Sequence, residues 1–143
     1  MYDLRPMTAA DIPAALALWT GMDGLSLFPS DSVEGIGRYL DRNTGLSVIC
    51  QLDGRVVGAA LAGHDGRRGW LHHVAVVPGC RLRGIGRAMV EWCVARLKAH
   101  GIGRCHIFVN AANAEAKVFW NHVGWDERPN VHVMSFTTDP DRM

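Results

Sequence analysis

Val74-Ala75-Val76-Val77-Pro78-Gly79-Cys80-Arg81-Leu82-Arg83-Gly84-Ile85-Gly86-Arg87-Ala88-Met89 is the stretch whose reading decides the fold. It begins as an apolar strand, turns through a segment holding Arg81, Arg83, Gly84, Gly86 and Arg87, and continues as an amphipathic helix. The first N–H groups of a helix have no intrahelical partner, and the aligned peptide dipoles add partial positive charge there. Glycine at 84 and 86 lets a ligand approach the backbone, and the arginines supply charge around it. A pyrophosphate-bearing ligand is therefore expected on the N–H groups of residues 82 to 87.

The identity of that ligand follows by exclusion and then by comparison of motifs. The dinucleotide fingerprint fails because Met89 occupies its last position, and no Gly-Lys-Ser/Thr completes a P-loop. Arg81, Gly84 and Gly86 fit an Arg-x-x-Gly-x-Gly pattern, and downstream stand Asn113, Ala116, Phe119, Trp120, Gly124 and Trp125. In that order and at that separation, the two patterns resemble the signatures of the GNAT superfamily of N-acetyltransferases, with Trp120 where the family has tyrosine. The likeness extends over nearly the whole chain and is loosest in the first fifty or so residues.

Composition sets the bounds. A chain of 143 residues, 48% hydrophobic and 20% charged, fits a single globular domain over 1–143. Its net charge of +1 excludes a global attraction to nucleic acid or anionic lipid, so positive potential must be local. Cys50, Cys80, Cys93 and Cys105 have no zinc-type spacing and read as reduced thiols, mostly within apolar patterns. No metal site is expected. The start, Met1-Tyr2-Asp3-Leu4-Arg5, lacks a signal-type apolar core and no run reaches membrane-span length, so a cytoplasmic protein is expected.

Along the chain, Tyr2 to Arg5 reads as a first strand. Thr8 with Asp11 marks a helix start, followed by Ile12, Ala15, Leu16 and Trp19 at helical spacing and stopped by Gly21. Met22 to Ser32 is too punctuated for a regular element and too apolar for an inert linker, and reads as a binding loop. Ser30 or Asp31 opens a second helix with Val33, Ile36, Gly37 and Leu40 on one face. Leu46 to Leu52 and Arg55 to Gly63 flank an Asp53-Gly54 hairpin turn, and Trp70 to Val77 is the third antiparallel strand in succession. A long helix ends at Gly101, Cys105 to Val109 is a parallel strand after a right-handed crossover, and Asn113 caps a last helix. Val131 to Phe136 reads as a closing strand and Thr137 to Met143 as a frayed tail.

The resemblance implies an α/β (α+β) domain whose mixed, mostly antiparallel sheet has six to seven strands and about four flanking helices. It also implies a splay between strands four and five that admits the pantetheine arm of acetyl-CoA. By the same likeness, coenzyme A contacts Val74, Ala75, Val76, Arg81, Leu82, Arg83, Gly84, Ile85, Gly86, Arg87, Asn113, Phe119 and Trp120. The main-chain N–H near Val74 or Ala75 would face the thioester carbonyl, where a fixed donor stabilises a developing oxyanion.

An alkylammonium must lose a proton before it can attack, and no glutamate occupies the positions where relatives carry one. His72 is the candidate base, at the distance before the arginine-glycine loop where arylalkylamine acetyltransferases have a histidine. A strand histidine held in place or exposed is the equally open reading. Strand alternation puts Trp70, His72 and Val74 on one face and Leu71, His73 and Ala75 on the other, so one histidine is expected to face the acceptor. Trp120 can donate a hydrogen bond but is no proton donor to the leaving thiolate. Water, or His122, is left to supply that proton.

For the acceptor, Trp19, Asp23, Leu27, Phe28 and Trp70 are the candidate contacts. Asp31, Glu34 and Leu25 stand nearby, and carboxylates beside apolar surface suit a cationic amine. The turn Asp65-Gly66-Arg67-Arg68-Gly69 resembles one found in small bacterial acetyltransferases, and its arginines suit an acidic acceptor or peptide. The expected activity is direct acetyl transfer from acetyl-CoA to a primary amine, on a small molecule or a protein. The competing readings are a coenzyme A-binding sensor without turnover and a nucleotide-binding protein. Dimerisation through the closing strand is an expectation of the resemblance alone.

Overall fold

The computed structural model describes residues 1–143. Five strands lie in sequence order, β1 (Tyr2–Pro6), β2 (Val48–Leu52), β3 (Arg55–His64), β4 (Gly69–Val76) and β5 (Cys105–Ile107). The first four are antiparallel, and β5 runs parallel to β4. Four α-helices accompany them: α1 (Ile12–Thr20), α2 (Val33–Arg42), α3 (Ile85–Ala99) and α4 (Ala114–His122). The β2–β3 turn takes left-handed φ at Asp53 (52°) and Gly54 (76°), the geometry that matches strand twist.

Period-two alternation divides the core between the two faces of the sheet. Val48, Cys50, Ala60 and Ala62 pack with α3, while Ile49, Ala59 and Leu61 pack with α1 and α2. Helix α1 is introduced by Asp11, whose carboxylate accepts from Thr8 N at 2.8 Å and is held by Arg5 at 2.7 Å. Helix α2 is capped by Ser32, whose Oγ accepts from Gly35 N at 2.9 Å. A 3-10 turn at Pro29–Asp31 precedes it, so the helix starts beyond the Ser30 or Asp31 expected from the sequence. Val33, expected on the apolar face, is exposed.

One irregularity changes the site. Ala59 pairs with Ala75 and Leu61 with His72, so Ala60 alone faces both His73 and Val74. This β-bulge holds His73 at φ 53°, in the left-handed region, and inverts the alternation beyond it. Leu71 and Ala75 share a parity yet sit on opposite faces, Leu71 toward α3 and Ala75 toward α1 and α2. The expected grouping of Trp70, His72 and Val74 against Leu71, His73 and Ala75 is therefore wrong. Both histidines face the α1/α2 side, and Val74 turns toward the α3 core.

The expected six to seven strands reduce to five. β5 stops at Ile107 instead of Val109, after three paired positions with β4. Val131 to Phe136 forms no strand, and Val131, Val133, Met134 and Phe136 are exposed. Alternating hydrophobicity produces a strand only where a neighbouring edge can pair with it, and here none does. The tail after it has no helix or strand, yet its end is tied down: Ser30 N donates to the Met143 carbonyl at 2.8 Å.

Candidate active site

The parallel strands separate immediately after Leu71↔Ile107, while β4 continues to Val76. A cavity of about 910 Å³ opens there, lined by the loop from Met22 to Phe28, by α2 through Tyr39, and by His72, Val74, Asn113 and Trp120. This is the splay between strands four and five that the family resemblance implies.

His72 lies on the cavity wall, with the Tyr39 ring edge-on at 6.1 Å and the Trp70 ring stacked at 6.3 Å. Burial holds its imidazole below the ordinary histidine range, the charge of His73 lowers it further, and Asp31 partly offsets both. At neutral pH such a ring is uncharged and able to accept a proton. His73 is committed elsewhere. Its Nε2 is 2.8 Å from Asp31 Oδ1, and its ring is 5.1 Å from Trp19. Asp31 Oδ2 also accepts from Phe28 N at 2.9 Å, so one carboxylate ties the loop to the bulge.

At the other end of β4, the 3-10 turn Pro78–Cys80 leads to Gly84, which caps α3 at φ 76°. The first helical hydrogen bond is Ala88 N to Gly84 O, and no main-chain N–H from Leu82 to Arg87 donates to a backbone acceptor. Leu82 is fully exposed with φ 65°. Arg81 folds back, its Nε donating to Val76 O at 3.2 Å, and Arg87 pairs with Glu91 at 3.0 Å. A row of open donors with adjacent cationic side chains fits a pyrophosphate. The two glycines serve differently from the expectation. Gly84 needs its left-handed φ, with open space where a Cβ would be, whereas a Cβ on Gly86 would meet the Phe119 ring at 3.2 Å.

The remaining candidates sort by burial. Ile85 and Ala75 are core residues, and Val76 packs against the α3 core. Trp120 is buried against Phe119 and Trp125 and also lines the cavity, so it serves packing and site together. Asn113 caps α4, its Oδ1 accepting from Ala116 N at 3.0 Å, and lies against Gly24 of the loop. Of the expected acceptor contacts, Asp23 and Phe28 line the cavity. Trp19 does not: it is fully buried in the core, so its expected acceptor contact is withdrawn. Leu27 lies outside the cavity wall, and Trp70 reaches it through His72 and Phe108. Glu34 is engaged by Arg38 at 2.9 Å on the exposed face of α2.

Sequence reading missed Tyr39, His73, Arg38 and Arg42 as cavity residues. The helical spacing of Tyr39 and Arg42 was available, but the wall they face was not. The Tyr39 hydroxyl is buried without a hydrogen-bond partner, and burial raises its pKa well above the usual range.

Comparison with known proteins gives this geometry its context. Residues 17–125 match the acetyltransferase (GNAT) family. An acetyltransferase of Pectobacterium atrosepticum is 30% identical over 111 residues, 78% of each chain. Among solved structures, the ribosomal-protein-S18-alanine N-acetyltransferase of Escherichia coli aligns with TM-score 0.74 at 22% identity, covering 90% of this chain and 79% of that one. The aminoglycoside N-acetyltransferase AAC(6')-Iy, solved with CoA, aligns with TM-score 0.75 at 19% identity, covering 95% of both chains. The chain belongs to the acetyltransferase (GNAT) family.

Proposed function

We propose that this acetyltransferase transfers the acetyl group of acetyl-CoA to a primary amine by direct attack in a ternary complex. The observation that carries the reading is the placement of an unpaired, low-basicity histidine on the wall of a cleft beside β4, the strand whose far end leads into a turn of unpaired main-chain donors. Acetyl-CoA, the donor of the family, brings the activated acyl group as a thioester. The N–H groups of residues 82 to 87 hold its pyrophosphate, with Arg81, Arg83 and Arg87 around them.

His72 takes the proton that the attacking ammonium must shed, directly or through a water. The amine nitrogen bonds to the acyl carbon and gives its second proton to solvent, the carbon–sulfur bond breaks, and the electron pair leaves on sulfur as a thiolate. The Val74 N–H, in the bulge, faces the carbonyl oxygen as negative charge develops. Trp120 shields the sulfur and gives up no proton. A thiol of pKa roughly 8 to 9 is a tolerable leaving group without an acid. His73, bound to Asp31, positions the acceptor loop and leaves the base role to its neighbour.

A thermal shift with acetyl-CoA, coenzyme A and NAD separately tests the donor half, since ligand at a hundredfold its Kd adds about 2.7 kcal/mol. Stabilisation by acetyl-CoA and not NAD is expected, and no response to acetyl-CoA would sink the reading. The second reading, a coenzyme A sensor, draws support from the missing tyrosine and glutamate. His72→Ala separates the two: a base loses amine turnover at unchanged acetyl-CoA affinity, and a sensor has no turnover to lose.

A further inference from the structure

The wall of the cavity continues outward as an aromatic track. Trp70 lies 4.9 Å from Phe108, which lines the cavity, and 5.0 Å from His106, its paired neighbour on β5. Phe108 is 57% exposed, so the track is open to a ligand. It ends where the β3–β4 turn meets the start of β5. There Gly69 N donates to Arg104 O at 2.9 Å, which sets Arg68 beside Arg104. The charges of Arg104, Arg128 and Arg68 all act on His106, adding to burial in lowering its basicity. At the end of α2, Asn43 Oδ1 accepts from His64 N at 3.0 Å, and the adjacent Arg42 lines the cavity.

None of Arg42, Arg68, Arg104 and Arg128 belongs to an ion pair. Two carboxylates close in sequence are already engaged. Asp65 accepts from the N–H groups of Arg67 and Arg68 at 2.8 Å each, and Glu127 binds Lys117 at 3.2 Å. Only Asp41 beside Arg42 and Asp126 beside Arg128 are left, in a chain whose net charge is only +1. Unpaired arginines at the end of an aromatic track form a receptor for carboxylates, because the planar guanidinium takes a carboxylate through two parallel N–H donors. The same rim opposes a polycation.

Resting on the acetyl-transfer reading for the position of the amine, we infer that the acceptor is a polypeptide amine followed by acidic residues. Its amine sits at His72, its backbone runs over Phe108 and Trp70, and its carboxylates meet Arg68, Arg104 and Arg128. A small amine fills the cavity alone and has no use for this rim.

The test uses two peptides with the same end-label, identical except that aspartates or lysines follow the free amine. Binding to the protein saturated with coenzyme A is read by fluorescence anisotropy. Acetyl transfer from acetyl-CoA is read in parallel. The acidic peptide is expected to bind roughly tenfold tighter at low salt, with the difference shrinking as salt rises. The double variant R68Q/R104Q is expected to bring the two peptides within about twofold at unchanged acetyl-CoA affinity, and R68K/R104K to restore part of the preference. Equal binding, tighter binding of the lysine peptide or of an RNA oligonucleotide, or a preference that survives R68Q/R104Q would overturn the inference. Turnover without acidic preference overturns it while leaving acetyl transfer intact. Tight acidic-peptide binding with no transfer to any amine keeps the surface and removes the proposed reaction.

Discussion

In the turn beyond β4 proposed to hold the acetyl donor, one continuous segment from Leu82 to Arg87 presents its own main-chain N–H groups, and its geometry depends on a single left-handed glycine at 84. On the acceptor side, Asp31, Tyr39, His72 and His73 come from the loop before α2, from α2 and from β4, and no two neighbours in sequence do the same thing. A backbone site survives most side-chain changes, whereas a site assembled from separate elements can be re-specified by one substitution. The donor half is therefore expected to be robust and generic and the acceptor half fragile and particular.

The largest predicted effect strikes the acceptor half through its backbone. A Cβ at Gly35 would run into the Ser30 carbonyl, so Gly35→Ala must displace the 3-10 turn that carries Asp31. A loss of about 3 kcal/mol is expected, read as a fall in Tm of roughly 10 °C. Gly84→Ala, in open space but at φ 76°, should cost about 1 kcal/mol, and equal losses at the two glycines would remove the contrast.

His72→Ala should lower kcat by roughly a hundredfold or more with acetyl-CoA affinity unchanged. The pH profile sharpens this. Because the folded His72 pKa lies below the unfolded value, the ring is a free base down to a pH below about 6.5, and the acid limb of kcat/KM should fall in that region. For the same reason, the His72 contribution to stability is present above the unfolded pKa and lost as pH falls through the folded one. An acid limb at or above pH 7 would contradict the assignment.

Asp31→Asn removes the carboxylate from the His73 contact while leaving its shape. The expected result is an acceptor KM raised about threefold to tenfold with acetyl-CoA affinity unmoved, roughly 1 kcal/mol. Loss of acetyl-CoA binding instead would show that the halves are coupled through the bulge. The smallest effects come from paired caps. Ser32→Ala on α2 and Asn113→Ala on α4 should each cost about 1 kcal/mol in denaturant titration. Only Asn113→Ala should also weaken acetyl-CoA binding, because Asn113 lines the cavity on the α4 side.

What could be read in advance follows the same division. The donor turn, the Asp53-Gly54 hairpin and the Thr8–Asp11 cap are local: each is set by a few adjacent residues and appears where expected. Trp19 shows the opposite case. Its place beside the loop suggested an acceptor contact, yet helical phase turned it wholly into the core. Val131 to Phe136 has the alternation of a strand and lacks the neighbour that would make it one.

By itself, then, the sequence determined the strand-turn-helix proposed to hold a pyrophosphate, because torsional preference, missing helical hydrogen bonds and charge act within a few residues of one another. Only the tertiary structure decided which histidine is free. The bulge opposite Ala60 reverses the faces of β4, and the carboxylate that claims His73 lies 42 residues away, a pairing that no local preference encodes.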